Sequence, residues 1–275
     1  FASNVSKSGQ ASSRKKMLEK MELEDIPVTS RKFPYVGFQP EREIGNFVLT
    51  AEKLNSKDDD GNVLLNDFSI TIHPGEKVAF VGMEHNSITS FFDIVSETKK
   101  PDSGTYSWGQ TTSHSYMGRD NSAYFNNELT ITDWLKQYSP DQDDAYVRGF
   151  LGRMLFSGDD GLKKVKVLSG GEKVRCMLSK MMLSGANVLI LDDPTNHLDL
   201  ESIESLNEGL VKFPGVVMFS SHDHEFISTI ANRIIEITPK GIIDRMMNFD
   251  DYLKDDQVKQ LRKEYYAGLN KKIRI

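Results

Sequence analysis

The sequence predicts an α/β domain, and three observations carry that prediction. Lys77-Val78-Ala79-Phe80-Val81-Gly82, Val188-Leu189-Ile190-Leu191 and Val216-Val217-Met218-Phe219-Ser220 are short apolar runs of the kind that form buried strands. Segments with helical spacing separate them. Each run stops where chemistry is available: at Gly82, at Asp192-Asp193 and at Ser221-His222-Asp223. Strands of such a domain deliver their carboxyl ends to one site.

Taken in order, residues 1–12 are small and polar, and Ser12-Ser13-Arg14-Lys15-Lys16 follows. Met17, Leu18, Met21 and Leu23 are then spaced for one helix face. Pro27, Pro34 and Pro40 make 26–45 extended or irregular. Residues 1–45 therefore read as a linker, 46–252 as the main domain and 253–275 as a basic tail. Phe47-Val48-Leu49 and Val63-Leu64-Leu65 read as strands around Lys57-Asp58-Asp59-Asp60-Gly61. That loop lacks the alternating acids and distant glutamate of a calcium site, so it reads as a polar turn. Phe68-Ser69-Ile70-Thr71-Ile72 alternates as a strand, and His73-Pro74-Gly75-Glu76 turns the chain into the run at 77–82. Helical patterns follow at 88–97, 130–138, 143–155, 170–183, 199–212 and 223–231, with a last strand at 233–237.

Composition narrows the classes. With 38% hydrophobic and 27% charged residues, the chain is neither collagen-like nor disordered. No run approaches the roughly 18 apolar residues of a membrane span. The first residues lack the apolar core of a secretory signal. The single cysteine, Cys176, excludes an internal disulfide and suits the cytoplasm. The net charge of −6 is unevenly spread: residues 1–20 carry +4 (five bases, one acid) and 257–275 carry +5 (six bases, one acid). The difference leaves −15 on residues 21–256. An acidic centre argues against wrapping nucleic acid around the main domain and leaves contact through the ends open.

Leu168-Ser169-Gly170-Gly171-Glu172 opens a helix, where two glycines and free amides suit close approach of a phosphate. Asp192, at the tip of an apolar strand, can hold magnesium through its water shell. In this order and spacing, LSGGE, LILDDPTNHLD and SSHDHEF resemble an ATP-binding-cassette ATPase. The PTNHLD and SHDHEF wording resembles the ABC-F subfamily, soluble tandem-cassette proteins that act on ribosomes. The likeness is strong over 46–250. Over 12–46 it is weaker, and Ser30-Arg31-Lys32-Phe33-Pro34 and Glu41-Arg42-Glu43-Ile44-Gly45-Asn46 look like the linker between two cassettes. Because the chain opens on Phe1, it reads as the end of that linker plus the second cassette. The implied fold is a P-loop NTPase-like ATP-binding cassette preceded by a partly helical linker.

The resemblance also implies roles. Ser169, Gly170, Gly171 and Glu172 correspond to the signature that caps the nucleotide held by a partner cassette. Asp192 and the Thr89 hydroxyl correspond to the magnesium site, Asp193 to the catalytic carboxylate and His222 to the switch histidine. Asn196 to Asp199 match the loop that contacts the opposite cassette. ATP and Mg2+ are the implied cofactors. Another cassette is the implied partner, with the ribosome or RNA reached through the linker.

The phosphate loop departs from this pattern. Where GxxxxGK[ST] is expected, the chain reads Gly82-Met83-Glu84-His85-Asn86-Ser87-Ile88-Thr89. Gly82 and Thr89 remain, Ser87 replaces the second glycine, and Ile88 replaces a lysine whose charge-assisted contact is worth roughly 1.5–3 kcal/mol. Glu84 adds negative charge, and side chains at 85 and 86 crowd the loop. Arg119 stands at the glutamine position, and Asn55-Ser56-Lys57-Asp58 offers no base-stacking aromatic. Asp193 is shorter than a glutamate by one bond, on the order of 1.5 Å. The resulting expectation is ATP and Mg2+ held weakly or not at all at this loop, beside an intact signature. The leading reading is a translation ATPase of the ABC-F type; a transporter's ATP-binding subunit and a non-hydrolysing interaction module stay open.

Overall fold

The computed structural model describes residues 33–267. The helix read around Met17 and the basic first twenty residues lie outside the described residues, as do residues 268–275.

The three apolar runs form β3 (Lys77–Gly82), β6 (Val188–Asp192) and β7 (Val216–Ser220), adjacent at the centre of a six-stranded sheet. β5 (His114–Met117) flanks β6, β8 (Arg233–Thr238) flanks β3, and β9 (Gly241–Arg245) closes the far edge, giving the order β5-β6-β7-β3-β8-β9. Every pairing is parallel except β8 with β9. Strand periodicity then divides the core in two. Ala79, Val81, Leu189, Leu191, Val217 and Phe219 face one apolar cluster. Val78, Phe80, Val188, Ile190, Val216 and Met218 face the other.

The second cluster is covered by an antiparallel sheet and one helix. β1 (Leu49–Lys57) lies between β2 (Val63–Ile72) and β4 (Ser103–Trp108), and α1 (His85–Val95) contributes Phe91 and Phe92. The first cluster is covered by α2 (Ile131–Lys136), α3 (Asp144–Arg153), α4 (Gly170–Leu183), α5 (Leu200–Lys212), α6 (His224–Ile230), α7 (Phe249–Lys254) and α8 (Asp256–Tyr265). Trp134, Cys176 and Leu206 are among its fully buried members.

Several segments differ from their sequence reading; residues 63–65 and 68–72, for example, join in the single strand β2. α1 begins at His85, three residues before the helical pattern read at 88. Glu84 takes extended dihedrals as its N-cap, and with Ser87 in place of glycine nothing keeps the chain open beyond Glu84. Residues 253–267, read as the start of a basic tail, include α8, whose Val258 is buried in the first cluster. Residues 33–45 have neither helix nor strand, as the prolines require, yet Val36 and Phe38 join the same cluster, and Phe38 meets the Phe213 ring edge-on at 6.1 Å.

Candidate functional site

The parallel strands deliver Gly82, Met117, Asp192 and Ser220 to one edge of the sheet. At its centre stands Asp192, whose side chain is fully buried. Oδ1 accepts hydrogen bonds from Ser220 Oγ at 2.7 Å and from His85 Nε2, also at 2.7 Å. Oδ2 accepts from Thr89 Oγ1 at 2.6 Å. Burial pushes this carboxyl up, but the bonds from His85, Ser220 and Thr89 outweigh it and hold the group below the usual carboxylate value. The His85 ring also lies 5.4 Å from that of His222, tilted by 35°. His222 is exposed two residues past β7, and Arg119 is exposed two residues past β5.

The segment from Gly82 to Thr89 is a short link into a helix. Only Met83 and Glu84 separate β3 from α1. Gly82 is required by packing, since a Cβ there would meet the Ile237 carbonyl oxygen at 2.6 Å. Met83 and Tyr266 line one cavity beside this link, and the Ser87 N–H donates to Glu84 O at 3.0 Å. Ser87 and Ile88 are buried, and Ile88 belongs to the second apolar cluster. Asp193 follows Asp192 in the left-handed region, φ 53°, its N–H donating to Ser220 Oγ at 3.0 Å.

Ser169 to Glu172 form a different kind of feature. Ser169 caps α4, and the cap is reciprocal: the Glu172 N–H donates to Ser169 Oγ, while the Ser169 N–H donates to Glu172 Oε2 at 2.9 Å. The backbone bond from Ser169 is the main reason the Glu172 carboxyl is held low. Ser169 and Gly170 are exposed. A Cβ on Gly170 would approach the His197 ring at 3.0 Å, and one on Gly171 the His197 carbonyl oxygen at 2.8 Å. The glycine pair thus abuts the loop that runs from Asp193 to Asp199, where Asp199 caps α5 through the Ser202 N–H at 2.9 Å.

Of the residues singled out in the sequence, the fold gathers Gly82, Thr89, Asp192 and Asp193 at one strand edge, with His222 facing His85. It turns Ser87 and Ile88 inward. His85, Ser220 and Tyr266 were not selected from the sequence as site residues. A histidine between the loop glycine and the helix was a visible signal for the first; the others depend on β7 register and on α8. Among the described residues no His, Cys, Asp and Glu group could hold a metal ion by itself, and no helix is long and apolar enough to cross a membrane.

The architecture is that of an ATP-binding cassette on a P-loop NTPase-like α/β fold, and residues 65–196 match the family model described as ABC transporter. The structure of an ATP-binding subunit of an ABC transporter shares the fold, with TM-score 0.63 and 16% identity over 80% of this chain and 100% of that one. The uncharacterized ABC transporter ATP-binding protein YkpA of Bacillus subtilis is 56% identical across 97% of this chain and 50% of its own length. ABC transporter F family member 2 of Arabidopsis thaliana is 31% identical, with 90% and 37% covered. The energy-dependent translational throttle protein EttA of Escherichia coli is 31% identical, with 78% and 39% covered. The chain spans half or less of the length of these relatives.

Proposed function

We propose that this chain is the second cassette of a cytoplasmic, ABC-F-like ATPase that works in translation. Its signature completes the ATP site of the partner cassette, while its own site is degenerate. One contrast carries this reading: the Ser169–Glu172 cap is formed and exposed, whereas the Asp192 carboxylate is already partnered within the protein.

As arranged, the residues do not fit a magnesium-bound triphosphate. Asp192 and Thr89 have the oxygen chemistry a hydrated cation needs. The short link from Gly82 to α1, however, leaves no loop to encircle phosphates, and the Ser87 amide already has a protein acceptor. Ile88 is turned into the core, so no charge at that position meets the β- and γ-phosphates. The translation assignment draws on the name of EttA and the F-family relative. Contact with RNA is assigned to the basic first twenty residues rather than to the acidic cassette.

The test pairs this chain with a cassette that has a lysine-bearing phosphate loop and measures phosphate release. Alone, the chain stays at background; paired, turnover appears and falls at least about tenfold with Ser169→Arg, as expected when one preorganised phosphate contact is lost. Strong magnesium-dependent turnover by the chain alone, abolished by Asp192→Ala, would overturn the reading.

A further inference from the structure

We propose that His85 is a built-in occupant of the cation position. Its imidazole, in place of a magnesium ion, ties the Asp192 carboxylate to the start of α1 and keeps the tips of β3, β6 and β7 in one arrangement whether or not nucleotide is present. The inference rests on the degenerate-site reading and names the group responsible.

The hydrogen-bond inventory of Asp192 leads to it. Each carboxylate oxygen has two lone-pair sites. Oδ1 uses both, on His85 Nε2 and Ser220 Oγ, at 2.7 Å each. Oδ2 has one committed to Thr89 Oγ1 at 2.6 Å. A magnesium ion needs oxygen ligands at roughly 2.0–2.1 Å in a near-octahedral shell. It cannot be accommodated on Oδ1 while the imidazole stays at hydrogen-bond distance, so His85 and the cation, or a water of its shell, compete for that oxygen.

The backbone supplies the rest. His85 is the first residue of α1, because the helix begins directly after Met83 and Glu84. An open loop with glycine at 87 would hold position 85 away from the helix axis; the early start instead carries the imidazole back over the strand tips. The position is pinned from both sides. Gly82 packs on Ile237 of β8, and Ile88 is buried in the second apolar cluster. Three elements thus converge on one carboxylate: α1 through His85 and Thr89, β6 through Asp192 itself, and β7 through Ser220. His222, where the family pattern expects contact with a phosphate, meets the His85 ring instead.

Mn2+ serves as the probe, alone and with ATP, followed by electron paramagnetic resonance on the whole chain. Wild type is expected to hold Mn2+ no better than Asp192→Asn. His85→Ala is expected to bind at least about tenfold tighter, and the double variant His85→Ala/Asp192→Asn to lose that gain. Equal binding by wild type and His85→Ala overturns the inference. A second measurement needs no variant: amide exchange in residues 82–89 and 192–193 of wild type should be unchanged by millimolar MgATP, and altered protection there also overturns it. Equal Mn2+ binding leaves the degenerate-site reading standing, because Ile88 and the short link to α1 are independent of His85. Turnover by the chain alone sinks that reading itself.

Discussion

Single residues in this protein answer to neighbours that sequence spacing does not reveal. Lys77, the first residue of β3, donates from Nζ to Leu210 O at 2.8 Å and Phe213 O at 2.7 Å, at the carboxyl end of α5. Burial lowers its pKa to about 8 from the ordinary 10.5. The unfolded chain therefore binds more protons between those two values, so this residue's contribution to stability rises with pH across that window and is flat below it. Wild type should gain stability between about pH 8 and 10.5 relative to Lys77→Met, read from urea midpoints at a series of pH values. Parallel curves for the two proteins would remove the assignment. Legibility at this scale was uneven. Asp192 and Ser169 could be found because each sits at a boundary, a strand tip or a helix start. Gly82 was found for its place in a phosphate-loop pattern, but its packing against Ile237 is what the fold requires of it. His85 was visible only as crowding, since its partner is 107 residues away.

Among the elements, β3, β6 and β7 were legible because strands buried on both faces are apolar throughout. β5, only four residues long, was not. α8 was missed for a physical reason: its sequence is charged, and what holds it is polar and distant. Glu236 of β8 is fully buried, and it accepts from Tyr252 Oη at 2.5 Å, Tyr266 Oη at 2.8 Å and Arg262 Nε at 3.2 Å. Burial and the Glu236 charge raise Tyr252 far above the usual phenol value. A buried carboxylate stripped of its cation is costly, so Arg262→Ala should destabilise by about 3–5 kcal/mol. Tyr252→Phe removes one hydrogen bond to a charged group and should cost about 1.5–3 kcal/mol. Thermal or urea unfolding gives the order; a larger effect from Tyr252→Phe would show that the ion pair is not what fastens α8.

For the whole molecule, the acidic cassette and the basic ends differ in charge; the first twenty residues lie outside the described residues, whereas 253–267 of the basic tail include α8, packed on the cassette. The exposed Ser169–Gly170 edge and the partnered Asp192 also divide its work. A pair of cassettes ordinarily encloses two nucleotides, and binding at one can favour binding at the other. Under the degenerate-site reading proposed above, one of those two variables is removed. The proposed assembly would then be a single-stroke device: one ATP per closure, with no second site to lend cooperativity. Its turnover should rise hyperbolically with ATP, with a Hill coefficient of about 1. His85→Ala in the same assembly should free a position on Asp192 yet still close on one nucleotide, counted as bound nucleotide per closed complex, because Ile88 stays in the core and brings no charge to the phosphates. On that reading the strand-tip end of this one cassette, rather than the number of cassettes, sets the stoichiometry.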